Sequence, residues 1–293
     1  MMRSAPPAIL PDPPEPPMAV GVIGAGGRLP ILVAQGLKRA GHKVVGIGLA
    51  GQYEDEFRAL CASFRDVQPL RIGSWVRAVK RQGASHAVMV GRIDKARLMH
   101  SWWNIIRAVP DRRVLTMWWQ HRRDRRSSFM LRAVADELAS KGVLLIDSTA
   151  HIREHMATQG AMTKRSPSAS QKADIEFGWP ILRDLLRLDV GQAIAVRERD
   201  VIAVEAVEGT DRMIERAGAL CASGGWTLLK AARAGHDRRS DVPVIGPDTI
   251  RNVHKAGARC IALAADDVII IDKPQTLELA DSLGVAVFGL APM

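Results

Sequence analysis

The sequence has little cysteine, few aromatic residues and no long apolar run. Its three cysteines, Cys61, Cys221 and Cys260, are widely spaced, and none belongs to a CxxC or CxxxH pattern. This spacing disfavours a zinc finger or a disulfide framework and indicates free thiols in a reducing compartment. No apolar stretch approaches the roughly 20 residues of a membrane span. HExxH is missing as well, so the sequence predicts no zinc-protease helix.

The first 17 residues lack the features of a secretory signal. They hold one basic residue and no apolar core, whereas seven of the sixteen prolines lie there. Proline has no amide hydrogen for a helix or a sheet, so residues 1–17 are predicted to be a disordered or polyproline II tail. A proline-rich docking peptide is the alternative. The expected location is the cytoplasm, and peripheral contact with a membrane is left open.

Positive charge is in excess. The 293 residues include 41 lysines and arginines against 31 acids, which gives a formal net charge of +10 at pH 7. Such a balance favours nucleic acid, phosphorylated substrates or an anionic membrane as partners. Residues 92–128 hold two Trp pairs and an arginine-rich run at 121–126, a combination that can bind nucleic acid or lipid headgroups. The alternatives are a general abundance of arginine and a helix pair with buried Trp and solvated Arg.

Apolar runs alternate with helical patterns in the first half. Strand-like runs at 19–23, 44–49, 87–90 and 143–146 are separated by helical spacing at 29–40, 75–82 and 129–140. This alternation predicts an α/β domain with a largely parallel, Rossmann-like sheet. The turn-like residues 166–168 mark a boundary, so we predict a tail at 1–17, an N-terminal domain at 18–165 and a C-terminal domain at 166–293.

The second half predicts another α/β domain, with a mixed sheet. Runs at 193–197 and 201–206 flank a short polar turn and indicate an antiparallel pair. Pro180 is expected to kink or interrupt the helix that contains it. The other expected strands are 227–230, 260–264, 268–271 and 285–288, and the expected helices are 173–188, 210–222, 248–256 and 276–283.

A glycine turn follows the first strand. Gly24 and Gly26 fit the start of GxGxxG, but the third glycine position falls on Leu29, and the second strand ends without an acid for a ribose hydroxyl. Nicotinamide binding is therefore disfavoured. The turn at Gly26 and Gly27 can still bind phosphate, because backbone N–H groups are free at a helix amino end. A purely structural turn is the alternative.

Carboxylates cluster among glycines, prolines and arginines between residues 204 and 247. Glu208 and Asp211 lie where a strand passes into a helix, with Thr210 as the expected N-cap. Capping and the helix dipole explain Asp211 without a ligand, but they do not explain Glu208. Glu205 is flanked by apolar residues, so it is expected to face either solvent or a metal.

The segment from Asp237 to Asp241 is predicted to be extended, because the residue before Pro243 is disfavoured in helical conformation. Asp237, Arg239 and Asp241 would then share one face. Such a row suits Mg²⁺-assisted phosphate chemistry, in which carboxylates hold a metal or align water and arginine binds phosphate. A surface ion-pair ladder is the alternative.

Together these motifs carry a family resemblance that extends over residues 19–290. The chain resembles the UDP-2,3-diacylglucosamine pyrophosphatases of lipid A biosynthesis, in the LpxI form that is built from two α/β domains. The matching residues are Gly26-Gly27 with Leu29-Pro30, Asp189 to Gln192, Ala203 to Asp211, Asp237 with Arg239 and Asp241, Pro243, Ile245 to Pro247 with Thr249, Ala256-Gly257, and Ala280-Asp281 to Gly289.

The resemblance implies a hydrolase that depends on Mg²⁺, with Mn²⁺ as the alternative ion. It would cleave UDP-2,3-diacylglucosamine to UMP and 2,3-diacylglucosamine 1-phosphate, with the ligand site between the two domains. A peripheral position at the cytoplasmic face of the inner membrane follows, without a nucleic-acid partner, and the oligomeric state is left open. The resemblance implies that Asp241 is catalytic. With the motifs above, we predict Asp237 and Arg239 as further catalytic residues and Glu208 and Asp211 as metal ligands or as residues that position phosphate. The predicted substrate- or phosphate-binding residues are Gly26, Gly27, Gln192, Thr210, Gly246 and Thr249.

The first half departs from the family pattern. A Gly-Asp-Asp motif before the last helix of the first domain aligns here with Arg126, Ser127 and Ser128, although Asp124 lies nearby. Arg28 replaces the acid of the glycine turn. The alternative function is therefore a catalytically weakened, nucleotide-sugar- or lipid-binding paralogue.

Overall fold

The computed structural model describes residues 10–92, 119, 127–239 and 242–292, without the side chains of 127–130. By contacts the chain forms two compact units, Met1–Arg153 with Asp237–Asp241, and Glu154–His236 with Val242–Met293. The first unit thus ends earlier than the turn at 166–168, and it includes a short segment whose flanks both belong to the second unit.

The first unit is built on a five-stranded parallel sheet with the order β3-β2-β1-β4-β5. This is the strand order of a Rossmann half with two further strands, and it confirms the predicted parallel sheet. Its core is made of apolar strand residues that are buried on both faces. The strands are β1 (Ala19–Gly24), β2 (Lys43–Leu49), β3 (Ser63–Val67), β4 (His86–Val90) and β5 (Leu144–Leu145).

Four described helices accompany this sheet: α1 (Leu29–Arg39), α2 (Asp55–Leu60), α3 (Ile72–Arg81) and α4 (Ser127–Ser140). The sequence patterns missed α2 and β3. β3 contains Arg65 and Asp66, so it does not look apolar, and it is fixed instead by Phe64. The Phe64 ring lies against Gly46 and Gly48 of β2, where any Cβ would overlap it.

The second unit has a six-stranded mixed sheet with the order β6-β13-β11-β9-β7-β8. β9, β11 and β13 are parallel, whereas β7 pairs antiparallel with β8 and β9. The mixed α/β sheet predicted from the sequence is confirmed. Its strands are β6 (Gly160–Ala161), β7 (Ala193–Arg197), β8 (Asp200–Val204), β9 (Thr227–Lys230), β11 (Cys260–Ala264) and β13 (Ala286–Leu290), and β10 (Val244–Ile245) pairs separately with β12 (Ile269–Ile270).

The described helices of this unit are α5 (Ala169–Arg187), α6 (Thr210–Leu220), α7 (Pro247–Lys255) and α8 (Lys273–Ser282). α5 starts at a capping box of Ser168 and Gln171 and runs through Pro180 without interruption. The helix lies close to the sheet there, since a Cβ at Gly178 would overlap Leu229. Packing therefore outweighs the hydrogen bond that proline removes. In the described part of the chain, no helix is long and apolar enough to cross a membrane.

A substitution at Gly36 can test how closely α1 packs against the backbone of His151. Alanine normally stabilises a helix by about 1 kcal/mol over glycine, but a Cβ at this position would overlap the backbone oxygen of His151. We predict that Gly36→Ala lowers the free energy of unfolding by about 2 kcal/mol, measured by urea denaturation. Gln35→Ala in the same helix is the control and should change little. A more stable Gly36→Ala variant would contradict the packing described here.

Candidate functional site

The glycine turn after β1 uses part of its backbone for hydrogen bonds within the protein. The Gly26 amide donates to the Arg92 carbonyl at 3.1 Å, and the Arg92 amide donates back at 2.9 Å. Gly27 has a φ of +93°, and no described side chain caps α1. Arg28 binds both oxygens of Glu56, at 2.7 and 2.6 Å. Phosphate binding at Gly26 and Gly27 stays a prediction, and it would have to use amides other than that of Gly26.

The segment that begins at Asp237 forms a turn at residues 238–239, so the prediction of an extended segment is wrong there. The cause is the Asp237 carboxylate, which accepts from the Arg239 amide at 3.1 Å, as aspartates often do two residues ahead. Arg239 Nε and Nη2 also bind the carboxylate, at 2.8 and 2.5 Å. Asp237 and Arg239 are therefore together, as predicted, but through a local turn. Asp241 lies outside the described residues.

Arg239 is a buried cation, with a side chain that is 10% exposed. Burial alone would raise the pKa of Asp237, but the hydrogen bonds and the charge of Arg239 outweigh it and hold that pKa below its usual range. In return, the hydrogen bonds with Asp237 raise the pKa of Arg239. Asp136 of α4 lies 3.8 Å from Arg239 Nη1. Asp237 thus stays ionised and anchors Arg239.

Two further residues contact the turn that contains Asp237 and Arg239, and the sequence analysis assigned a role to neither of them. The Ser148 amide and hydroxyl both donate to the Arg238 carbonyl, at 3.0 and 2.8 Å. Asp136 supplies the second acid beside Arg239. Ser148 lies 90 residues from its partner, and no local pattern marks either residue.

In the second unit, Thr210 does not cap its helix. Gly209, with a φ of +81°, precedes α6, and Thr210 is the first helical residue. The prediction of Thr210 as N-cap is wrong because its hydroxyl is used elsewhere. Thr210 Oγ1 donates to Glu205 Oε1 at 3.1 Å and accepts from Lys230 Nζ at 2.6 Å.

Glu208 and Asp211, the predicted metal ligands, each have a protein partner. Glu208 accepts from Arg216 at 2.6 Å and from the Ala206 amide at 3.2 Å. Its own backbone amide and then Arg216 lower its pKa. Asp211 accepts from Asn252 at 3.2 Å.

The described ranges contain no group of three or more His, Cys, Asp or Glu residues that could hold a metal. Mg²⁺ is often held by one or two carboxylates together with substrate phosphates, and the metal role of Glu208 and Asp211 stays a prediction.

The remaining predicted binding residues lie near β9 and α7. The Gly246 amide donates a hydrogen bond to Thr249 Oγ1 at 3.3 Å, so the Thr249 side chain binds the backbone just before its own helix. The Gln192 carbonyl accepts from the Ala231 amide, directly after Lys230. Gln192 and Thr210 therefore both lie beside Lys230, which the sequence did not assign. The sequence feature that could have indicated Lys230 is a lysine at the end of the apolar strand TLLK. All four residues of this strand are buried.

Some predictions fall outside the described residues. Arg126 and most of the Trp/Arg region are among them, and Trp119, which is described, is exposed. Ser127 and Ser128 lie in α4, without described side chains.

In comparisons with known proteins, both halves of the chain match models of the same family. Residues 19–155 match the family model described as the LpxI N-terminal domain, and residues 158–288 match the LpxI C-terminal domain. The UDP-2,3-diacylglucosamine pyrophosphatase LpxI of Caulobacter vibrioides is 28% identical over 282 residues, which cover 93% of this chain and 98% of the relative.

The Asp237–Arg239 pair predicts a pH dependence of stability. The folded pKa of Asp237 lies below the unfolded value of about 3.9. The pair therefore stabilises the protein above that value, and the stabilisation is lost as pH falls through the lower folded pKa. We expect Asp237→Asn to cost about 3 kcal/mol at pH 7 and to flatten the fall in stability below pH 5.

Guanidinium denaturation at pH 7 and melting temperatures between pH 2 and 7 measure both effects. Asp184→Asn is the control, because Asp184 forms a surface ion pair with Arg187 and should contribute about 0.5 kcal/mol or less. Parallel pH curves for wild type and Asp237→Asn would contradict the assignment.

Proposed function

The chain belongs to the LpxI family, and on that basis we propose that it hydrolyses UDP-2,3-diacylglucosamine to UMP and 2,3-diacylglucosamine 1-phosphate. The observation that carries the proposal is the match of both halves to the family models, at 19–155 and 158–288. The relative from Caulobacter vibrioides is named for this pyrophosphatase activity. The reaction would make the protein a hydrolase of lipid A biosynthesis.

The described residues suit the charge of a diphosphate. In the first unit, Arg239 is held in place by Asp237, and α1 begins at a glycine turn. In the second unit, α6 begins without a described side-chain cap beside a buried lysine. Fixed positive groups stabilise the charge that develops on phosphoryl oxygens, since they need no reorganisation during the reaction.

Water must be activated by a carboxylate that can take a proton. Asp237 is ionised, but its oxygens bind Arg239, so it fits the role of an anchor. We assign the orientation or deprotonation of water to Asp241. Mg²⁺ is the proposed cofactor, and when bound it would neutralise charge on the phosphate oxygens. Glu208 and Asp211 are proposed ligands because they belong to the carboxylate cluster between residues 204 and 247 and because their motif matches the family pattern.

The substrate is a diacylated lipid, so we propose peripheral action at the cytoplasmic face of the inner membrane, without a nucleic-acid partner. The second candidate is a binding paralogue with weak catalysis. It is favoured by the replacement of two family acids at residues 126–128 and by Arg28 in the glycine turn, where it pairs with Glu56.

The direct test is release of UMP from UDP-2,3-diacylglucosamine with Mg²⁺ or Mn²⁺. We predict metal-dependent release that a chelator abolishes. Asp241→Ala should lower kcat by about 10²–10⁴-fold, because it removes the group that activates water, while the affinity for substrate changes little.

Asp184→Ala, on an exposed part of α5, is the control and should retain full activity. An unchanged kcat in Asp241→Ala would remove Asp241 from the reaction. Tight binding of the substrate by wild type without UMP release would reject hydrolysis and support the paralogue.

A further inference from the structure

One peptide unit in the turn at residues 238–239 is held at both of its polar atoms. Its oxygen is the Arg238 carbonyl, which accepts from the Ser148 amide at 3.0 Å and from the Ser148 hydroxyl at 2.8 Å. Its nitrogen is the Arg239 amide, which donates to the Asp237 carboxylate at 3.1 Å. Because a peptide unit is planar, hydrogen bonds at both ends fix its orientation as well as its position.

The second hydrogen bond from Ser148 is more than the Arg238 carbonyl requires. One donor satisfies a buried carbonyl oxygen, and the Ser148 amide provides it. The hydroxyl adds a donor to the second lone pair, and it does so from a residue that is 4% exposed. Two donors on one oxygen leave this carbonyl little freedom to turn, so the serine side chain contributes to its orientation.

The loop that carries Ser148 follows β5 and is itself fixed. The Asp147 carboxylate accepts from the Thr149 amide and hydroxyl at 2.8 and 2.7 Å. The Ile152 amide donates to the Thr149 carbonyl at 3.1 Å. Thr149 and Ile152 are fully buried. These contacts restrict the loop to few conformations, so Ser148 donates its two hydrogen bonds from a fixed position.

The turn depends on such an attachment, because it is separated from its neighbours in sequence. Residues 237–241 group by contacts with the first unit, whereas the chain on either side groups with the second. Asp136 of α4 also approaches the turn, but its side chain is 66% exposed and lies 3.8 Å from Arg239 Nη1. An ion pair with so exposed a partner contributes little. Ser148 is therefore the stronger of these two attachments.

Ser148 also lies at the edge of the first sheet where parallel α/β folds bind ligands. The loops after β1 and β5 both leave the carboxyl ends of strands in the same parallel sheet, and ligands bind outside these ends. The glycine turn is in the first of these loops, and Ser148 is in the second. Both hydrogen bonds described for Ser148 go to a backbone carbonyl, which indicates an action through the turn.

We propose that Ser148 is a positioning residue of the reaction, which acts through the Arg238 carbonyl and sets the place of the Arg239 guanidinium. Arg239 follows the fixed peptide directly, and its Nε and Nη2 atoms bind Asp237. Rotation of the peptide would move the Arg239 amide away from Asp237 and displace the guanidinium with it. The action of Arg239 on a phosphate rests on the proposed function, whereas the hold of Ser148 on the turn does not.

Kinetics of UMP release by the full chain with Mg²⁺ test the role in the reaction. Ser148→Ala should lower kcat by about tenfold, which is the loss of one hydrogen bond expressed as a rate. KM should change little, because the guanidinium is displaced from charge that develops in the transition state. Ser148→Thr keeps the hydroxyl and should recover most of the loss.

Ser74→Ala is the matched control for these measurements. Ser74 lies in α3 of the same unit, and its hydroxyl also donates to a backbone carbonyl, that of Arg71. Its substitution should leave kcat unchanged. If Ser148→Ala folds poorly, Ser148→Cys keeps the side-chain volume, and its thiol is only a weak donor. A folded Ser148→Cys variant should therefore show the same loss of kcat.

Amide hydrogen exchange measures the hold on the turn without turnover. In Ser148→Ala the Arg239 amide should exchange about tenfold faster than in wild type, because loss of one hydrogen bond favours local opening. The amide of Val22, in the buried strand β1, reports the global stability of each variant. Its rate separates local opening at the turn from a general loss of stability. Ser74→Ala should leave the rate at Arg239 unchanged.

The proposed hydrolysis and the positioning role fail in different ways. Wild type that releases no UMP refutes the hydrolysis, and the exchange rate at Arg239 still judges the hold of Ser148 on the turn. A wild-type kcat in folded Ser148→Ala or Ser148→Cys overturns the positioning role and leaves the hydrolysis intact. Equal losses of kcat in Ser148→Ala and Ser148→Thr, or unchanged exchange at Arg239 in Ser148→Ala, would overturn it as well.

Discussion

The hydrogen bond from Lys230 to Thr210 is the constraint around which the second unit is arranged. Once a lysine is buried at the end of β9, its ammonium group needs acceptors, and Lys230 Nζ donates to the Thr210 hydroxyl at 2.6 Å. That bond draws Thr210 away from a capping role, and Gly209 takes the place before the helix with a positive φ. Among the described residues, the amino end of α6 therefore has no side-chain cap, while the Thr210 hydroxyl is bound to Lys230 and Glu205.

Both units hold a buried cation by a carboxylate, but they do so in different ways. Arg239 is bound directly by Asp237 with several short hydrogen bonds. Lys230 is linked to Glu205 through a hydroxyl. The direct pair holds the pKa of Asp237 below its usual range and keeps its oxygens bound to Arg239, so the activation of water is proposed for another carboxylate. In the indirect link, Glu205 Oε1 accepts from Thr210, and Oε2 is buried without a hydrogen-bond donor among the described residues.

Much of the fold could be predicted, because most strands are apolar on both faces and most helices end at a glycine. β3 could not be predicted, because this edge strand contains the charged residues Arg65 and Asp66. Its position depends on the contact of Phe64 with two glycines of β2. In the site, Asp237 and Arg239 were predicted to lie together for the wrong reason, because carboxylate-to-amide hydrogen bonding favoured a turn. Lys230 and Ser148 were missed, since their partners are distant in sequence and only tertiary structure brings them together.

The central claim is the proposed hydrolysis of UDP-2,3-diacylglucosamine, and a time course of UMP release by the wild-type chain tests it most directly. The account predicts release of UMP that requires Mg²⁺ or Mn²⁺ and stops when a chelator is added. Binding of UDP-2,3-diacylglucosamine by the folded chain without release of UMP would contradict it.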